Sequence, residues 1–207
     1  MITIIDYGAG NIKSIQNMLK KLGAASSISS NVGEIEEAEK LILPGVGHFD
    51  HGMKNLKSSG LIEVLNSKVV EQKCPILGIC LGAQLLGDKS EEGEEPGLGW
   101  VPMKVVKFDK TRMDAKLKVP HMGWNLVKLN KKAENNPLMK GLENEARFYF
   151  VHAFHMLPND NNHILTTSTY GYEFASAIWL NNIYGVQFHP EKSHVFGLKL
   201  LENFASL

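Results

Sequence analysis

The stretch Pro75-Ile-Leu-Gly-Ile-Cys-Leu-Gly-Ala-Gln-Leu-Leu86 joins a short apolar run to the start of a helix through a turn with two glycines. A continuous apolar run of this length indicates a strand buried on both faces, as in a parallel sheet. The G-x-C-x-G pattern from Gly78 to Gly82 is typical of a turn that presents a nucleophile at the carboxyl edge of the sheet. Cys80 is therefore predicted to be a nucleophile, and the helix N-terminus behind it favours the thiolate. A buried structural cysteine is the alternative, and it is our interpretation of Cys74, which lacks flanking glycines.

Apolar runs and helix-length segments alternate on the N-terminal side of this stretch. Ile2–Ile5 and Lys40–Leu43 are predicted strands, followed by helical segments over residues 11–22 and 49–72. This alternation predicts a parallel sheet covered on both faces. On the C-terminal side, segments rich in aromatic and β-branched residues predict mixed or antiparallel strands. These segments are residues 101–108, 124–129, 146–151, 163–169, 174–180 and 183–188, before a final helix over 193–207. The predicted fold is α/β, with a central, mostly parallel sheet flanked by helices and extended by mixed or antiparallel strands, in one domain over residues 1–207.

Two further motifs follow predicted strands. His189-Pro-Glu191 can supply the base that a cysteine nucleophile needs and the acceptor that orients the base. Alone it could be a surface turn, but with Cys80 it predicts a Cys80–His189–Glu191 triad. Pro44-Gly-Val-Gly47 can turn a backbone N–H toward a developing oxyanion, although an ordinary strand-to-helix turn is an equal alternative.

Composition excludes several classes of function. The 207 residues carry 22 Lys+Arg and 22 Asp+Glu, so we expect no large basic surface for nucleic acid or membrane. The chain has no apolar run long enough to span a bilayer and no basic N-terminal segment, and its two cysteines lie too far apart along a strand to pair. A reduced, cytoplasmic protein is the expectation. The acidic residues 88–99 are predicted to form a solvated loop.

No cofactor or metal is expected. Gly8-Ala-Gly10 matches only half of a dinucleotide-binding motif, because Lys13 stands where the third glycine is needed. The pairs His48/His51 and His152/His155 could be read as metal ligands. However, no cysteine or carboxylate cluster completes either site.

These motifs, in this order, resemble those of the class I, triad-type glutamine amidotransferases. More narrowly, five segments are similar to the glutaminase subunits of imidazole glycerol phosphate synthases, over essentially the whole chain. The segments are Asp6-Tyr-Gly-Ala-Gly-Asn11, Leu43-Pro-Gly-Val-Gly47, Pro120-His-Met-Gly-Trp-Asn125, Tyr149-Phe-Val-His152 and His189-Pro-Glu-Lys-Ser193. Ala83 and Phe154 depart from the usual residues of that family, which concerns the shape of the glutamine pocket and not the reaction.

The resemblance implies a role for each matching residue. Cys80 would attack the carboxamide of L-glutamine, and His189, held by Glu191, would move the protons. The oxyanion and the glutamine would be bound by the segment Gly45, Val46, Gly47 together with Leu81 and Gln84. Glutamate and ammonia would be the products.

The resemblance also implies a partner. Such subunits form heterodimers with a (β/α)8-barrel synthase (cyclase) subunit, to which they pass ammonia, making imidazole glycerol phosphate and AICAR in histidine biosynthesis. Asn11, Trp124 and Lys192 would lie near that interface. Gly87, Glu95–Trp100 and Ser193-His194 fit better a paralogous branch that supplies ammonia for amidination of an N-acetyl sugar in surface-polysaccharide synthesis, so both branches stay open.

Two other classes of function are weighed against this one. A stand-alone cysteine hydrolase could use the same turn without any partner. A non-catalytic scaffold could keep only the fold, but all three triad residues are present.

Overall fold

The computed structural model describes residues 1–207 and contains thirteen strands and six α-helices. The strands are β1 (Ile2–Ile5), β2 (Ser26–Ser29), β3 (Lys40–Gly45), β4 (Ile76–Cys80), β5 (Lys89–Ser90), β6 (Met103–Lys107), β7 (His121–Leu126), β8 (Lys128–Leu129), β9 (Arg147–His152), β10 (Phe154–Pro158), β11 (Ile164–Tyr170), β12 (Tyr172–Leu180) and β13 (Ile183–Val186). The helices are α1 (Ile12–Lys21), α2 (Val32–Glu36), α3 (Phe49–Ser58), α4 (Ile62–Asn66), α5 (Leu81–Leu85) and α6 (His194–Ala205). A π-helical turn, Ser67–Glu71, extends α4.

Eleven strands form one sheet, whose main path runs β2-β1-β3-β4-β13-β12-β10-β6-β5. Its first five strands are parallel to their neighbours. From β13 onward most pairings are antiparallel, and β11 and β8 branch from β12. The predicted α/β class is thus confirmed, including the parallel centre and its antiparallel extension.

Successive residues of the central strands enter opposite cores, because side chains alternate across a sheet. Ile4 and Ile42 belong to one apolar cluster, while Ile5, Leu41 and Leu43 belong to the other. The two clusters hold 27 and 26 buried residues, so both faces of the sheet are covered to a similar degree. This is why the strands are continuously apolar in the sequence.

Helix α5 packs unusually closely against the neighbouring strand. A Cβ on Gly82 would lie 1.9 Å from the carbonyl oxygen of Leu43, which is shorter than any non-bonded contact. Only glycine therefore fits where the helix begins beside β3. This close approach holds the carboxyl ends of β3 and β4 together at the turn that carries Cys80.

Strands β7 and β9 form a separate two-stranded antiparallel sheet. Along β7, Met122, Trp124 and Leu126 are exposed, whereas His121 is buried. One side of this small sheet is therefore apolar and open to solvent, and we call Met122, Trp124 and Leu126 the β7 face. No helix in the structure has the length and apolar character needed to cross a membrane.

Several details differ from the sequence-based prediction. Strands β2 and β10 and the short helix α2 were not predicted, and β5 lies inside the stretch predicted to be a loop. The acidic residues of that stretch are also held in place, since the Asp50 carboxylate accepts hydrogen bonds from the backbone N–H groups of Glu94 and Glu95. Residues 91–99 thus form a loop, as predicted, but contacts with α3 hold part of it in place and limit its exposure to solvent.

Candidate active site

Cys80 ends β4 and directly precedes α5, in the middle of the parallel part of the sheet. Its backbone has φ 55° and ψ −111°, a conformation that L-residues rarely adopt. The residue is almost fully buried, with 8% of its surface exposed. Strained turns of this kind cluster at functional sites, where the surrounding packing holds them. Cys80 thus occupies a strained strand-to-helix turn between β4 and α5.

His189 follows β13, the strand next to β4, and is joined to Tyr149 of β9 by backbone pairing. Its Nδ1 lies 2.8 Å from Oε1 of Glu191, and both side chains are buried. Burial lowers the pKa of His189, but the contacts with Cys80 and Glu191 outweigh it and raise the pKa to about 10. The other ring nitrogen, Nε2, is buried without a well-aligned hydrogen bond. The arrangement can hold a proton on His189 beside the thiol.

A cavity of about 200 Å³ opens at this point. The predicted residues Val46, Gly47, Cys80, Leu81, Gln84 and His189 all line it. Gly45 lies beside it and pairs with Cys80 across β3 and β4. Glu191 lies behind His189 and does not line the cavity. The structure thus brings six of the predicted site residues to one cavity and places Gly45 and Glu191 next to them.

The segment after β3 lies opposite the start of α5. Gly47 has φ +102°, and Val46 is half-exposed at the cavity. The buried Tyr7 hydroxyl donates a 2.6 Å hydrogen bond to the carbonyl oxygen of Pro44, which anchors this segment. Burial, and then the nearby Cys80, raise the pKa of Tyr7 far above its usual range, so the hydroxyl keeps its proton. This segment and the start of α5 therefore form facing parts of the cavity wall.

Three polar side chains near the cavity were not predicted to belong to the site. Glu92 lines the cavity, and its Oε2 accepts a 2.8 Å hydrogen bond from the backbone N–H of Phe49 at the start of α3. His152 also lines it, and Gln187 lies behind Cys80. Glu92 stands in an acidic run that resembles a solvated loop, so no signal marked it. Gln187 could have been suspected from its place two residues before His189.

The three predicted interface residues lie in different surroundings. Trp124 stacks on His194, with ring planes 6° apart and centroids 5.4 Å apart, and Lys192 Nζ lies 5.7 Å from the centre of the Tyr149 ring. Trp124 also contacts Tyr149 edge to face. Asn11 is exposed just before α1, and no hydrogen bond or ring contact joins it to the other two. Trp124 and Lys192 therefore share one surface around Tyr149.

Comparison with known proteins gives consistent matches over the full length. The profile of the family described as "Glutamine amidotransferase class-I" matches residues 3–206. The chain is 51% identical over 207 residues to imidazole glycerol phosphate synthase subunit HisH 2 of Pseudomonas aeruginosa, covering all of both chains. It is 54% identical over 204 residues to the subunit HisH 2 of Methanococcus maripaludis, covering 99% of this chain and 98% of that one.

Solved structures with the same fold are much more distant in sequence. A crystal structure described as that of a glutamine amidotransferase superposes with a TM-score of 0.71 at 18% identity, covering all of both chains. A chain in the structure of PurLQS from Thermotoga maritima superposes with a TM-score of 0.69 at 16% identity, covering 99% of this chain and 97% of that chain. At these identities the likeness concerns the fold.

Proposed function

The chain belongs to the class-I glutamine amidotransferases and, within them, to the family of the imidazole glycerol phosphate synthase subunits HisH, and from this membership we propose that its Cys80, His189 and Glu191 hydrolyse L-glutamine to glutamate and ammonia. The observation that carries the proposal is the convergence of Cys80, His189 and Gln84 on one cavity, with Glu191 hydrogen-bonded behind His189. We take residues 1–207 as the single domain that performs this reaction.

The proposed reaction has two halves. The Cys80 thiolate attacks the carboxamide carbon, and the oxyanion that forms accepts hydrogen bonds from the backbone N–H of Leu81 and from the segment around Val46. The C–N bond then breaks as protonated His189 gives its proton to the departing nitrogen, which releases ammonia and leaves a γ-glutamyl thioester on Cys80. His189 next takes a proton from water, which attacks the thioester and releases glutamate and the thiolate. Glu191 keeps the imidazole oriented throughout.

The position of Glu92 supports glutamine as the substrate. Its carboxylate is the acidic side chain on the cavity wall, whereas Cys80 lies at the turn before α5 and Gln84 lies within α5. An amino acid with its carboxamide at Cys80 would place its α-ammonium group within reach of a carboxylate on the wall. We assign Glu92 that role.

Ammonia must reach its acceptor without being protonated in bulk water, so we propose that the subunit works as a heterodimer with a (β/α)8-barrel synthase. The β7 face supports a docking surface here, because large exposed apolar side chains, and tryptophan in particular, are enriched at interfaces. Trp124 and Lys192 around Tyr149 belong to this surface in our proposal, and Asn11 to its margin. In the histidine pathway the partner would make imidazole glycerol phosphate and AICAR.

An N-acetyl sugar remains a second candidate acceptor of the ammonia. The relatives at 51% and 54% identity both carry the number 2 in their names, and Gly87 and Glu95–Trp100 fit the sugar-amidinating branch. The chemistry of Cys80 would be identical there, but the ammonia would pass to a different synthase.

The test is glutamate release from L-glutamine by the purified chain, measured alone and with the barrel subunit of the same organism's histidine pathway plus its nucleotide substrate. Cys80→Ala serves as the blank. Strong stimulation by the pair supports the histidine pathway, and stimulation only by the barrel protein of a polysaccharide locus supports the second acceptor. High activity without any partner would instead indicate a stand-alone cysteine hydrolase.

A further inference from the structure

Gln187 is a fully buried polar residue just after β13, and the proposed reaction does not use it. Its side-chain oxygen lies 3.0 Å from Nε2 of Gln84, and its side-chain nitrogen lies 3.9 Å from Sγ of Cys80. Gln187 does not line the cavity, whereas both of its neighbours do. It therefore bridges the nucleophile and the residue proposed to bind the carboxamide of glutamine.

The direction of these hydrogen bonds follows from one backbone group. Gln84 also lies 3.2 Å from the carbonyl oxygen of Phe154, which can only accept a hydrogen bond. The atom of Gln84 at this position must therefore be the amide nitrogen. Since that same nitrogen lies 3.0 Å from Gln187, the Gln187 atom there must be the oxygen. The NH₂ group of Gln187 is consequently the end that faces Cys80.

Both N–H bonds of the Gln84 amide are then occupied, one by Phe154 and one by Gln187. The carbonyl oxygen Oε1 is the part of that amide left to contact a substrate. An oxygen acceptor can receive an N–H from a carboxamide, but it meets only lone pairs on a carboxylate. The orientation of Gln84 thus distinguishes an amide from the acid that its hydrolysis produces.

We propose that Gln187 is a positioning residue that locks the Gln84 amide with Oε1 toward the substrate and donates its own N–H to Cys80, so that the site accepts a primary carboxamide and releases the carboxylate product. This rests on the proposed glutaminase function. Gln187 acts through Gln84 and Cys80 and does not itself touch the substrate. Its two contacts predict two separable effects of substitution.

Two substitutions separate these effects. Gln187→Glu keeps an acceptor for Gln84 but replaces the N–H that faces Cys80 with an oxygen, whereas Gln187→Met has about the same length and removes both hydrogen bonds. Ser176→Ala is the matched control, because Ser176 is also buried, lies on neighbouring β12 and bonds Thr166 away from the cavity. Circular dichroism and thermal unfolding first establish that each variant is folded.

The first readout is how strongly the site prefers L-glutamine, an amide, to L-glutamate, the corresponding acid. Cys80 is labelled by a chloroketone analogue of glutamine, and the concentrations of L-glutamine and L-glutamate that halve the labelling rate are compared. We expect the ratio of glutamate to glutamine concentrations to fall at least tenfold in Gln187→Met and to stay within threefold in Gln187→Glu and Ser176→Ala. A ratio unchanged in Gln187→Met would overturn the role assigned to the Gln84 orientation.

The second readout is the pH dependence of Cys80 alkylation by iodoacetamide. The titratable groups around Cys80 are His189 and Tyr7 and, across the cavity, Glu92 and His152, and none of them is altered in these variants. We expect the pH of half-maximal alkylation to rise by about one unit in Gln187→Glu, because an oxygen would replace the N–H donor beside the thiolate. An unchanged profile would overturn the contact with Cys80, and this readout decides alone if Gln187→Met does not fold.

The outcome distinguishes this inference from the proposed function. If the chloroketone does not label Cys80 in the wild-type chain, or L-glutamine does not protect it, the glutaminase proposal fails. If the wild type is labelled and protected but the Gln187 variants behave like Ser176→Ala, only the role of Gln187 fails.

Discussion

Nδ1 of His121 lies 3.0 Å from Nε2 of His152, and the direction of the hydrogen bond between these two buried rings is determined. His152 Nδ1 lies 2.7 Å from the carbonyl oxygen of Phe154, so it must carry a proton. Nε2 of neutral His152 then accepts, and His121 donates from Nδ1. Nε2 of His121 in turn lies 3.3 Å from the amide nitrogen of Asn125 and accepts from it. Both rings are therefore neutral in the folded protein.

This pair predicts a loss of stability in mild acid. Burial lowers the pKa of His121 from 6.5 to about 4, and burial together with neighbouring histidines lowers the pKa of His152 even though its bond to Phe154 opposes this. Between about pH 7 and 4 these histidines bind protons in the unfolded chain but not in the folded chain. The free energy of unfolding therefore falls as pH falls. Each histidine contributes a slope of up to about 1.4 kcal/mol per pH unit.

Urea unfolding at a series of pH values measures this slope. His121→Gln removes one of the titrating rings, so its slope between pH 6.5 and 4.5 should be shallower than that of the wild type. Parallel curves for the two proteins would contradict the neutral pair.

The backbone strain at Cys80 predicts an unusual order of stability. Cys80→Ala keeps a Cβ in the φ 55°, ψ −111° conformation, whereas Cys80→Gly relieves it. Strain of this kind costs about 1–3 kcal/mol, and glycine loses about 0.5–1 kcal/mol through its freedom in the unfolded chain. Cys80→Gly should therefore be more stable than Cys80→Ala by about 1 kcal/mol in urea unfolding. An alanine variant of equal or greater stability would show that the turn is unstrained.

The members of the triad should contribute unequally to glutaminase activity. Cys80→Ala should abolish glutamine hydrolysis while leaving the fold intact, because it removes one sulfur atom. Glu191→Gln should retain on the order of 10- to 100-fold more activity than Cys80→Ala, since it orients His189 and does not react. Steady-state glutamate release with the partner present measures both. Equal losses in folded variants would mean that Glu191 does more than orient.

Gly82→Ala should destabilise the whole domain. The added methyl group would collide with the Leu43 carbonyl at 1.9 Å, and backbone cannot move aside as a side chain can. We expect a loss of at least about 2–3 kcal/mol in the free energy of unfolding. Gly33→Ala in α2 is the control, because its Cβ would approach only a side-chain oxygen at 3.3 Å, and it should change stability by less than about 1 kcal/mol.

Trp124→Ala tests the β7 face. Trp124 is half-exposed, so its removal should change the free energy of unfolding little, but it should weaken partner binding by about 2 kcal/mol, or roughly 30-fold in Kd. Val70→Ala removes another exposed apolar side chain, ahead of β4 at the other end of that strand from Cys80, and should leave binding unchanged. Titration calorimetry with the barrel subunit compares the variants, and equal affinities would place the interface elsewhere.

The strands that were predicted correctly are those with a clear local sequence pattern. Strand β4 and its turn into α5 follow from an apolar run and two glycines, which allow few other structures. Strand β2 was not predicted because Ser26–Ser29 is polar and lies at the sheet edge, where only one neighbour pairs with it. Strand β10 was not predicted because His155 and Pro158 interrupt its apolar pattern, although both are buried in the folded structure.

The active site shows the same contrast between residues marked by a local motif and residues placed by distant contacts. Cys80 and His189 stand in recognisable motifs after predicted strands, so their meeting at one sheet edge was expected. Glu92 and Gln187 were not predicted to belong to it because their roles depend on partners far along the chain. Glu92 meets Phe49, and Gln187 meets Gln84, only when the sheet is assembled. The place of Gln187 two residues before His189 indicates that it lies near the site, but no spacing in the sequence predicts either contact.

The position of β13 has a consequence for how the protein is made. This strand, Ile183–Val186, lies between β4 and β12, yet it is the last of the thirteen strands in chain order. Until it emerges, β4 has an unpaired edge in the middle of the future sheet, and such edges invite aggregation. The nascent chain must therefore leave one edge of β4 unpaired while residues 81–182 are synthesised, and the site that holds Cys80 and His189 cannot be completed before β13 pairs with β4.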